Sequence, residues 1–147
     1  MRTKNQVTLE FPSERINLEV ARRTASAFVE RMNPSSNVAS DVATVVDEAV
    51  TNAVLFAYPD GPGKVMLRLL AKRDDVLEIT VRDWGAGIAD VRLARTPLFT
   101  TSDDERSGMG FTVMENFADE VRVRSTPGKG TTVVARKRIA HRSKFES

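Results

Sequence analysis

The spacing of apolar residues changes several times along the chain and predicts strands alternating with helices. Val7, Leu9 and Phe11 alternate with polar residues, as in a short half-buried strand. Pro12 and Ser13 then predict the end of that strand and the cap of a helix. The predicted apolar stripe of this first helix consists of Ile16, Val20, Ala27, Phe28 and Met32.

A second helix is predicted after the turn at residues 33–36, with Ser36 or Asn37 as its cap. The proline and glycine residues at positions 59–63 end it. Its predicted buried side consists of Val38, Val42, Val45, Val46, Ala49, Val50 and Ala53.

Two strands joined by a turn at Asp74 and Asp75 follow, and the second of them, residues 76–82, leads directly to Asp83. Residues 85–107 show no period, which is typical of a mobile lid or of a disordered segment. A helical pattern returns between Met109 and Phe117. Two more strands are predicted at residues 120–125 and 131–138, joined by a turn at 127–130.

These elements predict an α/β protein of the α+β sandwich type, with helices on one face of a mixed sheet. The 147 residues suit a single domain spanning 1–147, with a basic tail from about residue 139. The basic residues around this end, predicted to be solvated, are Arg136, Lys137, Arg138, Arg142 and Lys144.

Composition excludes several classes of protein. The chain has no cysteine and one histidine, His141, so a thiolate metal site and a histidine cluster are both excluded. A net charge of +2 argues against a polycation built to bind nucleic acid. No apolar run reaches the length of a membrane span, and we expect a soluble, cytoplasmic protein.

Glu48 and Asn52 lie four positions apart on the predicted second helix, so both side chains point from one face. A carboxylate can act as the general base of phosphoryl transfer, and an amide oxygen is a suitable ligand for Mg²⁺. Taken alone, the pair is more typical of a solvated helix surface than of a catalytic site, because such short matches are common. Its position directly before the strands that lead to Asp83 favours the functional interpretation.

Asp83 is predicted at a strand end, where its carboxylate can accept a hydrogen bond from the exocyclic amine of adenine. Gly85 and Gly87 leave room for the purine, although an ordinary turn has the same pattern. Trp84, the one tryptophan, either stacks near the nucleotide or packs at its rim. The order of the motifs favours an ATP site.

The stretch Ser107, Gly108, Met109 and Gly110 resembles the start of a phosphate-binding helix, and Arg106 adds a positive charge beside it. A simple helix cap is the alternative. Two glycines within three positions are unfavourable at an ordinary helix start, which favours the phosphate site.

Together with Gly130 and Thr131, these motifs resemble the GHKL ATPase and kinase superfamily, whose fold is the Bergerat sandwich. Within it, three stretches resemble the sporulation anti-sigma-F factors: residues 47–53, 97–101 and 105–117. The similarity runs from about Leu9 to Val134. It implies a homodimeric protein that inhibits a sporulation sigma factor and phosphorylates a serine of an anti-anti-sigma partner with MgATP.

The resemblance also implies roles for single residues. Glu48 would be the general base, Asn52 the Mg²⁺ residue and Asp83 the adenine contact, with Thr131 assisting Asp83 through water. Arg22 would contact both protein partners. The other implied contacts to ATP or ADP are Gly85, Gly87, Thr100, Thr101, Arg106, Ser107, Gly108, Met109 and Gly110.

This chain departs from the family pattern where Phe56 and Ala57 replace a usual His-Gly pair, and where residues 102–104 make the lid acidic. Three other functions compete with the one above. A general-stress anti-sigma kinase is the most similar alternative, and a sigma-binding module without kinase activity is another. A detached histidine-kinase catalytic domain lacks its phosphoacceptor here, because His141 lies in the basic tail.

Overall fold

The computed structural model describes residues 3–88 and 108–143. Five strands and three helices occupy this part of the chain. In chain order they are β1 (Thr3–Pro12), α1 (Ile16–Glu30), α2 (Ser36–Phe56), β2 (Lys64–Lys72), β3 (Val76–Asp83), α3 (Gly108–Phe117), β4 (Glu120–Thr126) and β5 (Gly130–Arg138).

The strands form one sheet in the order β1-β2-β3-β5-β4. All four pairings are antiparallel, so the prediction of a mixed sheet is wrong for the described strands. The reason lies in the connections. The helical pair α1 and α2 brings the chain back to start β2 beside the end of β1, and β5 inserts between β3 and β4, which would otherwise pair in parallel.

The helices pack on one face of this sheet, as predicted, and α2 lies at the centre of the helical layer against α1 and α3. All seven apolar positions predicted for the buried side of α2 are buried, and Val54 extends the stripe. The matching face of the sheet is supplied by alternate residues, which on β2 are Val65, Leu67, Leu69 and Ala71. α2 is therefore held on three sides and fixes the side chains that leave its remaining face.

The predicted stripe of α1 is largely wrong. Ile16 is 76% exposed and Val20 46% exposed, whereas small residues at positions 21 and 25 are buried together with Phe28 and Val29. Alanine lets two helix backbones approach closely, so α1 turns Ala21 and Ala25 toward α2 and leaves Ile16 and Val20 outside.

Both predicted helix caps are also displaced. The Ser13 hydroxyl accepts a hydrogen bond from the backbone N–H of Gly63 at 2.9 Å, and α1 begins after Arg15 without a side-chain cap. Ser35, rather than Ser36 or Asn37, caps α2 by accepting from the Val38 N–H at 3.3 Å. The hydroxyls bind the backbone donors that the fold leaves nearest to them.

The basic end of the chain is not simply solvated. Arg136, Lys137 and Arg138 belong to β5, and Lys137 Nζ lies 3.1 Å from Asp41 Oδ2 on α2. Beyond the strand, Ile139 is buried and Arg142 pairs with Glu30 at 3.1 Å. Alternation along β5 turns Arg136 and Lys137 to opposite faces of the sheet, where they pair with Glu78 and Asp41.

Two absences can be stated for residues 3–88 and 108–143. They contain no group of His, Cys, Asp and Glu side chains arranged to hold a metal ion by themselves. None of their helices is long and apolar enough to cross a membrane.

Candidate active site

Glu48 projects from α2 into a half-buried environment that disfavours its charge. Burial raises the pKa of its carboxyl, and the negative charge of the adjacent Asp47 raises it further. A carboxylate with a raised pKa is a stronger base than an exposed one. Glu48 thus has the electrostatic environment that proton abstraction requires.

Asn52 lies one helical turn after Glu48 on the same helix. Its Nδ2 is buried and has no hydrogen-bond partner in the part of the chain that the structure describes. A buried amide without a partner is unfavourable by about 1–3 kcal/mol, so its persistence needs a reason. A bound ligand would supply one, since rotation of the amide presents either its oxygen to a metal or its N–H₂ to a phosphate.

Asp83 ends β3 and is only 4% exposed. Its Oδ1 accepts hydrogen bonds from the backbone N–H groups of Gly85 at 3.0 Å and Thr131 at 3.2 Å. The register of β3 and β5 sets Thr131 directly opposite Asp83. The two residues that the sequence links to adenine are therefore in contact.

Gly85 and Gly87 follow Asp83 where other backbone segments approach closely. A Cβ at Gly85 would overlap the carbonyl oxygen of Ala57, which accepts a hydrogen bond from the Ala86 N–H at 2.8 Å. Gly87 has a φ of +76°, and a Cβ there would overlap the carbonyl oxygen of Thr126. These glycines join the end of α2 and the β4–β5 turn to the floor of the site.

The substitution of Ala57 for a glycine is accommodated at this junction. Ala57 has a φ of −71° and is fully buried, so its backbone needs no glycine. Its carbonyl group still holds the segment after Asp83. The half-buried Phe56 side chain stands where a polar neighbour was otherwise expected.

Ser125 is a member of the site that sequence reasoning missed. Its Oγ lies 2.8 Å from Thr131 Oγ1 and accepts a hydrogen bond from the Ile88 N–H at 2.6 Å. Ser125 faces Thr131 across the β4–β5 pair, so its position opposite Thr131 in the predicted hairpin was the available signal. Ser125 orients the threonine that supports Asp83.

α3 begins at Gly108, so the glycine pair of the predicted phosphate site does open a helix. Thr112, which was not predicted as a site residue, has a buried Oγ1 without a partner among the described residues. The sequence feature that indicated Thr112 was its position two residues after the Gly108–Gly110 pair. Predicted contacts that lie outside the described residues are Thr100, Thr101, Arg106 and Ser107; Met109 lies in α3, and its side chain is not described.

Trp84 lies at the rim of the site. Its ring contacts two cations, with Lys64 Nζ 4.3 Å and Arg82 Cζ 4.5 Å from the ring centroid. Its backbone N–H donates to the Tyr58 hydroxyl at 2.8 Å. Of the two predicted roles, these contacts favour packing at the rim.

Arg22 extends from α1 to the helix that carries Glu48. Its Nη2 lies 2.7 Å from Asp47 Oδ1, and its Nη1 lies 2.8 Å from Glu19 Oε1. These contacts raise the pKa of Arg22 and hold its charge in place. Arg22 is distant in sequence from the nucleotide motifs, yet the fold brings it next to the general-base candidate.

Comparison with known proteins agrees with this geometry. The family model of the histidine kinase-like ATPase domain matches residues 11–137. The anti-sigma F factor of Geobacillus kaustophilus is 46% identical over 138 residues, which cover 93% of this chain and 94% of the relative. The chain belongs to the anti-sigma F factor family.

Two further relatives carry the same name. The anti-sigma F factor of Pasteuria penetrans is 47% identical over 132 residues, covering 88% of each protein. That of Bacillus velezensis is 43% identical over 139 residues, covering 93% of this chain and 94% of the relative. Family membership and the ATPase fold predicted from the motifs are confirmed.

The fold also matches a solved structure of the RsbU and RsbW domains of Rv1364c from Mycobacterium tuberculosis. The TM-score is 0.72 at 15% identity, and the match covers 98% of this chain and 35% of the other. At that identity the match shows the shared fold alone.

Proposed function

We propose that this protein binds and inhibits the sporulation sigma factor F and uses MgATP to phosphorylate a serine of an anti-anti-sigma partner. One observation carries the proposal: α2 presents a carboxyl with a raised pKa and, one turn later, an amide whose buried Nδ2 has no hydrogen-bond partner among the described residues. Metal-assisted phosphoryl transfer needs a proton acceptor close to a polar group that can bind the metal or a phosphate.

The nucleotide fits the residues at the end of β3. Asp83 is fixed by the backbone N–H groups of Gly85 and Thr131, which donate to its Oδ1, and its carboxylate is the proposed acceptor for the adenine amine. The unpartnered Thr112 hydroxyl and the start of α3 would meet the phosphates. ATP and ADP share the adenine contact and differ only at the γ-phosphate.

Asn52 is the residue proposed to hold Mg²⁺. A single amide is compatible with Mg²⁺, which keeps several waters and takes few protein ligands, and this agrees with the absence of an acidic cluster among the described residues. When bound, the ion would neutralise charge on the β- and γ-phosphates. The assignment is supported by the buried Asn52 Nδ2, which has no partner among the described residues, because rotation of the amide would place its oxygen there.

In the proposed reaction, Glu48 accepts the proton of the partner's serine hydroxyl. The serine oxygen forms a bond to the γ-phosphorus, and the bond from that phosphorus to the oxygen bridging it to the β-phosphate breaks, which releases ADP. The raised pKa of Glu48 matches this role, because it increases the affinity of the carboxylate for the proton.

Arg22 is the proposed contact for both protein partners. It is partly exposed on α1, the helix that also leaves Ile16 and Val20 exposed. Arginine beside exposed apolar side chains is typical of an interface. Competition for one arginine would let the anti-anti-sigma partner displace the sigma factor. We further propose a homodimer, for which light scattering should give roughly twice 16.3 kDa.

The test is to mix the purified protein with the purified sigma factor F and anti-anti-sigma protein of the same organism, with MgATP. We expect sigma capture, and phosphoserine in the partner by mass spectrometry. Capture without phosphoserine would identify a non-catalytic sigma-binding module. Phosphorylation without capture of sigma factor F, together with capture of a general-stress sigma factor, would identify the general-stress kinase. The names of the curated relatives favour the sporulation branch.

A further inference from the structure

The contact between α1 and α2 carries a charged group that the proposed reaction does not use. Arg22 bridges Glu19 on its own helix and Asp47 on α2, at 2.8 and 2.7 Å. The side chains of Arg22 and Asp47 are 43% and 40% exposed, so an incoming protein can reach the pair. An ion pair between two helices thus lies where a partner would dock.

Asp47 immediately precedes Glu48. Successive residues of a helix are about 100° apart, so Asp47 faces α1 while Glu48 faces the site, yet their charges remain close. Asp47 is the ionised neighbour that adds to burial in raising the pKa of Glu48. Whatever changes the effective charge at Asp47 therefore changes the base.

Among the described charges around α2, Asp47 is the one that shifts the pKa of Glu48. On β5, Lys137 is paired with Asp41, which lies about two turns before Glu48. On α3, Glu115 is the one ionisable residue among the described side chains, and it is exposed. On α1, Arg23 binds only Glu19 among the described residues, at 3.0 Å.

We propose that Arg22 is a positioning residue for the general base: it acts through Asp47, and a partner carboxylate that draws Arg22 away alters the proton affinity of Glu48. With Arg22 in place, the guanidinium 2.7 Å away partly compensates the charge of Asp47, which still raises the pKa of Glu48. Without it, Glu48 faces an uncompensated carboxylate. Binding of the partner at Arg22 and phosphoryl transfer at Glu48 would then be coupled through adjacent residues of α2. This inference rests on the proposed function for the roles of Glu48 and Arg22.

The test is to titrate the Glu48 carboxyl by NMR in the free protein, without nucleotide or partner. Arg22→Ala should raise the pKa of Glu48 by about half a pH unit, as expected for one nearby charge screened by water. Asp47→Asn should lower it. Arg22→Lys, which keeps the charge, should restore most of the wild-type titration. Arg23→Ala is the matched control and should change nothing.

The double variant decides whether the effect passes through Asp47. Once Asp47→Asn has removed the negative charge, adding Arg22→Ala should leave the titration of Glu48 nearly unchanged. An undiminished shift in that background, or equal shifts for Arg22→Ala and Arg23→Ala, would overturn the proposal. Circular dichroism of each variant checks that α1 and α2 remain folded.

This result is independent of the reaction. If Glu48 titrates as expected but Glu48→Gln still phosphorylates the partner, the assignment of the base fails while the electrostatic link stands. If the protein is a kinase but the pKa of Glu48 does not respond to substitution of Arg22 or Asp47, the electrostatic proposal fails while the proposed function stands. In an active kinase, the acid limb of the rate profile should move with the NMR value.

Discussion

Glu48 and Glu78 are both removed from water, but their surroundings act in opposite directions. Glu48 lies on α2 with Asp47 as its charged neighbour, and its pKa is raised by burial and by that charge. Glu78 lies in the middle of β3, where burial also opposes ionisation. Hydrogen bonds and charges from Arg136, at 2.9 Å, and Lys72, at 3.3 Å, outweigh the burial and lower its pKa.

The difference separates a carboxylate that stabilises the fold from one that the fold tolerates. Glu78 occupies a cross-strand position opposite Arg136, so its charge is compensated by the register of the sheet. Among the described residues no cation compensates Glu48, and an uncompensated charge is the kind of local cost found where chemistry is carried out. The predictions below test that separation.

The largest expected difference is in the rate of transfer. Glu48→Gln should lower serine phosphorylation by about 100-fold to 10,000-fold, because an amide cannot take the proton. Nucleotide affinity should persist. Glu78→Gln is the matched control and should transfer at nearly the wild-type rate when folded. A radiolabelled-phosphate assay measures both; a fast Glu48→Gln variant would remove Glu48 from the role of base.

Stability should respond to the same two substitutions with opposite signs. Glu78→Gln loses charge-assisted hydrogen bonds and leaves Arg136 and Lys72 less well paired, so we expect a loss of about 2 kcal/mol in the free energy of unfolding. Glu48→Gln removes a half-buried, uncompensated charge and should gain about 0.5 kcal/mol. Urea unfolding at neutral pH measures both. A destabilised Glu48→Gln variant would mean that Glu48 has a structural partner.

Asp83 extends the comparison, because backbone donors rather than cations hold this carboxylate. Asp83→Asn should weaken ATP and ADP alike, by about tenfold, since both carry adenine and an amide nitrogen cannot accept its hydrogen bond. Asn52→Ala should weaken ATP only when Mg²⁺ is present. Calorimetric titration with and without Mg²⁺ separates the two. Equal losses for Asn52→Ala in both conditions would exclude it from the metal site.

The sequence predicted elements well where burial follows a simple period. The α2 stripe from Val38 to Ala53 was right in full, because a central helix is held by its apolar residues alone. The α1 stripe was wrong because close packing selected Ala21 and Ala25 over larger residues. The sheet was predicted as mixed because the position of β5 between β3 and β4 is set by tertiary packing and not by any local pattern in the sequence.

For the candidate site, the sequence supplied the residue types and the fold supplied their neighbours. Contact between Asp83 and Thr131 was anticipated by the family resemblance, and the strand register places them opposite each other. The contact of Arg22 with Asp47 joins residues 25 positions apart and has no local signal. Ser125 and Thr112 were missed because a lone hydroxyl is a weak signal, which here consisted only of its position opposite Thr131 or behind the glycine pair.

The smallest expected effect is the pH dependence of stability, and here too the carboxylates should differ in sign. The pKa of Glu78 is below the ordinary glutamate value of 4.5 in the folded protein, so its stabilisation is present above that value and is lost as the pH falls through the folded pKa. The pKa of Glu48 lies above 4.5, so its ionisation costs stability as the pH rises through the folded pKa.

Urea unfolding of the wild type and both glutamine variants from pH 3 to pH 7 measures these differences. The deficit of Glu78→Gln relative to the wild type should shrink as the pH falls below 4.5, because protonation of the wild-type carboxyl removes the charge that the variant lacks. The advantage of Glu48→Gln should be absent at the acid end and should appear as the pH rises above 4.5. Parallel curves for the two variants would mean that the two carboxylates share one electrostatic environment, and the distinction between a compensated and an uncompensated carboxylate would fail.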